Sequence, residues 1–235
     1  NIMKIKLFLD GADIQQMINA SKNPQISGFT TNPTLMKKSG ISDYELFARE
    51  AIKSIKNKPI SFEVFSDELD EMYKEAKVIK SWGGLTYVKI PTMNTKGEPT
   101  YELIKTLSDE GVPLNITAVF TLEQVHNIFN SLHNDVESII SIFAGRIADT
   151  GIDPVPIMRE AKNIISSNKK CELLWASPRE VLNIIQAEEC GCDIITATND
   201  LIKKSLLFGK DLEEFSKETV LMFYNDAKTA GYKLI

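Results

Sequence analysis

Eight short β-type runs, each followed by a longer amphipathic stretch, constrain this sequence more than any other feature. They cover residues 4–10, 26–30, 59–64, 86–91, 113–119, 138–145, 171–176 and 193–196. Strands alternating with helices build βα units around a parallel sheet, and eight units close it into a barrel. A length of 235 residues suits one such barrel. The expectation is a (β/α)8 TIM barrel forming a single domain over 1–235, with an extra C-terminal helix. That helix spans 211–230, after a short one at 199–207 and Gly209. Asn1 and Ile2 precede Met3 and carry no weight in this reading.

Local signals support the alternation. Pro33 after Asn32, Pro154 after Asp153 and Pro178 after Ser177 each place proline at a first helical position behind a capping residue. Thr121 with Gln124, and Ser177 with Glu180, fit the capping box. Gly83, Gly111 and Gly191 follow helical stretches, where a left-handed residue is wanted.

Composition narrows the function classes. A net charge of −5 with no Lys/Arg cluster argues against a nucleic-acid partner. Without an apolar run of about 18 residues or a leader-like N-terminus, neither membrane insertion nor secretion is indicated. Three cysteines, Cys171, Cys190 and Cys192, form no disulfide framework, and the reading is a reducing cytoplasm.

Within run 86–91 the two-residue period puts Val88 and Ile90 on one face and Tyr87, Lys89 and Pro91 on the other. If both faces are covered, the Lys89 ammonium is desolvated and the free amine, a nucleophile toward carbonyls, is favoured. An isolated lysine here would also snorkel to water. The other strand ends weigh against that: Asp10; Thr30, Thr31 and Asn32; Glu63; Asn115 and Thr117; Arg146; Ser177 and Arg179; Thr196 and Thr198. All sit toward the C-terminal ends of their runs, the catalytic face of a barrel. Asn32 and Ser177 also fit as N-caps, Thr196 as a strand former, and Asp10 as a partner for a turn donor. Those readings leave Glu63 and Lys89 unexplained inside apolar strands, where a carboxylate and an amine need each other or a substrate.

Such a set suits Schiff-base carbanion chemistry: an amine attacks a ketose carbonyl, and a base takes a hydroxyl proton as the neighbouring C–C bond breaks. Glu63 is the candidate base, alone or through a water held by Thr117, and Asp10 moves the proton in the other half of the cycle. Arg146 and Arg179 would grip a phosphate, with Ser177 adding donors from a helix start.

At these residues the chain resembles the transaldolase family, in the short subfamily that includes the fructose-6-phosphate aldolases. The matching pieces are Phe-Leu-Asp-Gly-Ala-Asp around Asp10, Thr-Thr-Asn-Pro at 30–33, Glu63, Val-Lys-Ile-Pro around Lys89, Asn-Ile-Thr at 115–117, Gly-Arg-Ile at 145–147 and Ala-Ser-Pro-Arg at 176–179. They follow family order along essentially the whole chain. The resemblance implies a class I aldolase-type barrel of non-oxidative pentose phosphate metabolism, moving a dihydroxyacetone unit between sugar phosphates. Lys89 would form the Schiff base, and Asp10, Glu63 and Thr117 the acid/base group. Asn32, Asn115 and Ser177 would bind hydroxyls, and Arg146 and Arg179 the phosphate. It implies no metal or organic cofactor, and a homo-oligomer, a pentamer or decamer, in which the extra helix swaps between subunits. One departure is at Ile147-Ala148-Asp149, where many relatives carry an acidic residue directly after the isoleucine.

The same resemblance bears on transfer against release. Ser141, Phe143 and Gly145 share a face of run 138–145, taken as inward. In the family, the Phe143 position tends to be Phe in transaldolases and Tyr in the aldolases, and the Glu63 position Glu and Gln respectively. Phe143 with Glu63 points to transfer, although Phe143 also reads as a plain core aromatic. The alternatives are a fructose-6-phosphate aldolase releasing dihydroxyacetone and a non-catalytic sugar-phosphate-binding barrel. A metal-dependent aldolase is disfavoured, because His126 and His133, read as sharing one helix face, lack further ligands.

Overall fold

The computed structural model describes residues 3–235; Asn1 and Ile2 lie outside the described residues. Eight parallel strands form a closed barrel in sequential order: β1 Lys6–Asp10, β2 Ile26–Thr30, β3 Ile60–Glu63, β4 Thr86–Pro91, β5 Leu114–Val119, β6 Ser138–Ile142, β7 Cys171–Trp175 and β8 Ile194–Ala197, with β8 pairing back to β1. Helices fill every crossover, so the architecture is the expected (β/α)8 barrel with an added C-terminal helix, Leu212–Ala230.

Each strand is buried on both faces, which is why the runs read as nearly continuous apolar sequence. Outward residues such as Phe62, Val88, Ile90, Ile116, Ile140 and Trp175 pack beneath the helices and are at most 1% exposed. Each such side chain contributes about 1.5–3 kcal/mol by leaving water. A second, smaller cluster of Phe8, Ile139, Leu174 and Ile194, with Tyr87 against it, fills the barrel interior below the strand ends. Gly28 admits this plug: a Cβ there would lie 2.5 Å from Phe8 Cζ.

Asn32 and Asp153 cap the helices Pro33–Lys38 and Pro154–Ile165, each with proline in the first turn. Thr121 and Gln124 form the reciprocal capping box. Gly83, Gly111 and Gly191 take positive φ at helix ends. Two local readings fail. Ser177 and Pro178 do not start a helix: the helix begins at Leu182, and Ser177 sits in the preceding loop at φ 55°. Val181 precedes that helix without a side-chain cap bond, and Asn183 in its first turn reaches back into the loop, its Oδ1 accepting from the backbone N–H of Arg179 at 2.8 Å and of Glu180 at 3.0 Å. His133 lies past the end of helix Leu122–Ser131, so it shares no helix face with His126. Among the described residues no helix is long and apolar enough to cross a membrane.

Candidate active site

The C-terminal strand ends surround a cavity of roughly 620 Å³ whose wall includes Asp10, Glu63, Lys89, Thr117 and Arg146. Register sets the centre of this site: Glu63 pairs with Lys89, and Lys89 with Asn115, so three polar side chains from β3, β4 and β5 occupy one inward row. Lys89 is 7% exposed, and its Nζ donates to the Thr31 carbonyl at 2.8 Å. Thr31 is itself fixed, its Oγ1 donating to the Ser61 carbonyl at 2.8 Å.

Two carboxylates flank the amine. Asp10 Oδ1 accepts from Thr30 Oγ1 at 2.9 Å and Oδ2 from Asn32 Nδ2 at 3.4 Å. Desolvation pushes the Asp10 carboxyl above its ordinary range, and the Lys89 charge and these two donors offset part of the rise. Desolvation also raises Glu63, against the pull of Lys89 and with a further push from Asp10. A carboxyl moved upward in this way is better suited to take a proton and return it near neutral pH. Beneath Glu63, Tyr44 donates to its backbone carbonyl at 2.9 Å and meets Phe62 and Trp82 edge-on.

Asn32, Phe143 and Ser177 also line the cavity. Asn32 caps its helix through Oδ1, accepting from Leu35 N–H at 2.9 Å, while its Nδ2 faces Asp10. β6 ends at Ile142, three residues before the expected limit, and Phe143 precedes the short helix Ala144–Asp149 that carries Arg146. Two residues predicted for the site stand outside the wall. Asn115 is fully buried, donating to Ser61 Oγ at 3.1 Å and accepting from Ser141 Oγ at 2.6 Å. Arg179 does not line the cavity and is paired with Asp149, with Nε 3.1 Å from Asp149 Oδ1 and Nη2 2.5 Å from Oδ2.

The backbone is tightest around the cavity. Ala118 at φ 58° and Ser177 at φ 55° are the only non-glycine residues with positive φ among the described residues, and both line the wall. Such conformations cost free energy and persist only where the surroundings impose them. At Gly145 the imposition is visible: a Cβ would lie 1.4 Å from the Ser177 carbonyl oxygen. Only glycine lets the Arg146 helix abut the loop after β7.

A family model described as transaldolase/fructose-6-phosphate aldolase matches residues 7–234. The chain belongs to this family. "Probable transaldolase 2" of Listeria monocytogenes is 32% identical over 218 residues, 91% of this chain and 95% of the relative. "Probable transaldolase" of Nitrosopumilus maritimus is 31% identical over 219 residues, covering 91% and 94%. A crystal structure of a "putative phosphonomutase" from Burkholderia cenocepacia superposes with a TM-score of 0.59 at 8% identity, covering 91% and 94%; that likeness speaks to the barrel alone.

Within the transaldolase/fructose-6-phosphate aldolase barrel, two loops contribute wall residues that strand-end reasoning missed. Phe65, Ser66 and Asp67 follow β3, and Met93, Asn94 and Thr95 follow β4. Asp67 clasps the loops together, accepting from the Thr95 N–H at 2.8 Å and Oγ1 at 2.6 Å. Asn94-Thr95-Lys96-Gly97 is legible as a turn, with Gly97 at φ 79°, but the long-range clasp is not. Ser61 was findable, because it lies two residues before Glu63 and therefore faces inward with it. Among the described residues no three His, Cys, Asp or Glu side chains group as metal ligands.

Proposed function

We propose that this chain is a transaldolase, moving a dihydroxyacetone unit from a ketose phosphate to an aldose phosphate through a Schiff base on Lys89. The observation that carries the reading is a buried lysine amine set in the cavity between two carboxyls, Asp10 and Glu63, both raised by desolvation. The amine adds to the ketose C2 carbonyl, and water leaves to give an iminium. Glu63, directly or through a water at Thr117, takes the C4 hydroxyl proton. The C3–C4 bond breaks, its electrons pass into the iminium, and the aldose phosphate departs. An acceptor aldehyde then runs these steps in reverse, and Asp10 moves the proton in the carbinolamine steps. Asn32 and Ser177 bind hydroxyls from the wall, Asn115 supports the Lys89 row from below, and Arg146 and Arg179 serve the phosphate.

Transfer requires the lysine-bound carbanion to outlive the departing aldose. Phe143 favours this: its ring lines the cavity and lies 6.0 Å from Phe120, offering no proton donor. Phe143→Tyr places a phenol there. The expected result is acceptor-free release of dihydroxyacetone from fructose 6-phosphate raised by on the order of tenfold or more, with transfer to an aldose phosphate reduced. The assay is turnover with and without acceptor, and substantial acceptor-free cleavage by the wild type would assign the chain to the aldolase branch.

We also read the chain as a homo-oligomer, a ring of five or a pair of such rings. No residue of helix Leu212–Ala230 is buried, yet it carries Leu212, Phe215, Met222 and Phe223 along one side. An unpartnered apolar side of this kind marks an interaction surface, and a neighbouring barrel would cover it. Deleting 209–235 should convert the assembly to monomers in sedimentation analysis; an unchanged sedimentation coefficient per subunit mass would refute the swap.

A further inference from the structure

We propose that Asp149 sets the phosphate affinity of this pocket by holding Arg179 away from it until a phosphate dianion exchanges for the carboxylate. The inference rests on the sugar-phosphate reading above and concerns one residue to which that reading gives no role. Arg146 lines the cavity, and among the described residues its guanidinium has no side-chain ion pair or hydrogen bond. Arg179 follows the cavity residue Ser177 by two positions but does not line the cavity, being paired with Asp149 in a two-point contact of 3.1 and 2.5 Å. That fork is the geometry with which a guanidinium also grips a phosphate, so the two anions compete for the same donors. Asp149 lies three residues after Arg146 in the same short helix, and both arginines draw its carboxyl below the ordinary range, Arg179 more strongly. One carboxylate therefore neutralises part of the charge that two guanidiniums would offer the ligand.

The exchange meets little steric resistance. The Arg179 and Asp149 side chains are 49% and 51% exposed, and no other side chain is paired with either among the described residues. An exposed pair is also weak enough for a phosphate to break. Asp149 thus acts as a positioning residue whose effect on substrate passes through Arg179 and appears in binding.

The test is steady-state kinetics with fructose 6-phosphate or unphosphorylated fructose as donor and unphosphorylated glyceraldehyde as acceptor. Asp149→Asn should lower KM for fructose 6-phosphate by roughly two- to fivefold, leaving kcat and the KM for fructose unchanged. In an Arg179→Ala background the same substitution should have a clearly smaller effect, only the weaker interaction with Arg146 remaining. An unchanged or higher KM in Asp149→Asn overturns the proposal. So does an equal fall in the Arg179→Ala background, which would place the effect in the field at Arg146. If the wild type shows no preference for the phosphorylated donor, the sugar-phosphate reading itself fails, and the proposal with it. Should Asp149→Asn not fold, Asp149→Ser carries the same comparison.

Discussion

Lys89→Met is expected to abolish transfer, lowering kcat by on the order of 10⁴-fold or more, while the barrel still folds. Met occupies similar volume and, unlike an ammonium, carries no desolvation cost in a site only 7% exposed. The stability of the variant should depend on pH in a way that reports the two carboxyls. Desolvation holds Asp10 and Glu63 above their unfolded values of 3.8 and 4.5, so each favours the folded state fully below those values. That contribution is lost as pH rises through the folded-state value. The Lys89 charge opposes the rise at both residues. Removing it moves both folded values further upward, and the loss then extends to higher pH. Relative to wild type, the Tm of Lys89→Met should be lower at pH 8 than at pH 5. A pH-independent difference would mean that the amine does not compensate these carboxylates. Retained transfer activity would remove Lys89 from the mechanism altogether.

What the sequence made legible follows from the range of the interactions involved. Strand period alone put Tyr87, Lys89 and Pro91 on one face of β4 and paired Asn115 with Thr117 on β5, and the barrel order brought Glu63 beside Lys89. Those are local or topological facts. Phe143 to Gly145 looked like more of β6, because small and apolar residues there fit a strand. The chain turns instead into the Arg146 helix, against a carbonyl at Ser177 thirty-two positions away. Ser177-Pro178 carried a strong helix-start signal that failed for the same reason: the close approach to Gly145 is met with Ser177 in a left-handed conformation, which cannot begin a helix. Both arginines read as phosphate ligands, each lying just past the C-terminal end of a run. Only the contact between Asp149 and Arg179, thirty residues apart, separates them.

That separation makes Arg146→Ala the second large effect. Arg146 lines the cavity and, among the described residues, has no side-chain ion pair or hydrogen bond, so a bound phosphate gains its full charge-assisted pair without displacing another anion. Truncation should cost about 2–5 kcal/mol of binding to phosphorylated sugars, roughly 30- to 4,000-fold in kcat/KM. Arg179→Ala should cost less, because the wild-type guanidinium must first leave Asp149, and the energy of that exposed pair offsets part of the gain. Fructose and other unphosphorylated donors should be nearly indifferent to either change. Raising salt should narrow the gap between wild type and Arg146→Ala with fructose 6-phosphate, since long-range attraction to the dianion is screened. Equal losses with phosphorylated and unphosphorylated donors would make Arg146 a structural element of its helix. A larger loss at Arg179 than at Arg146 would mean that the exchange with Asp149 is complete in the bound state and that Arg179 is the principal anchor.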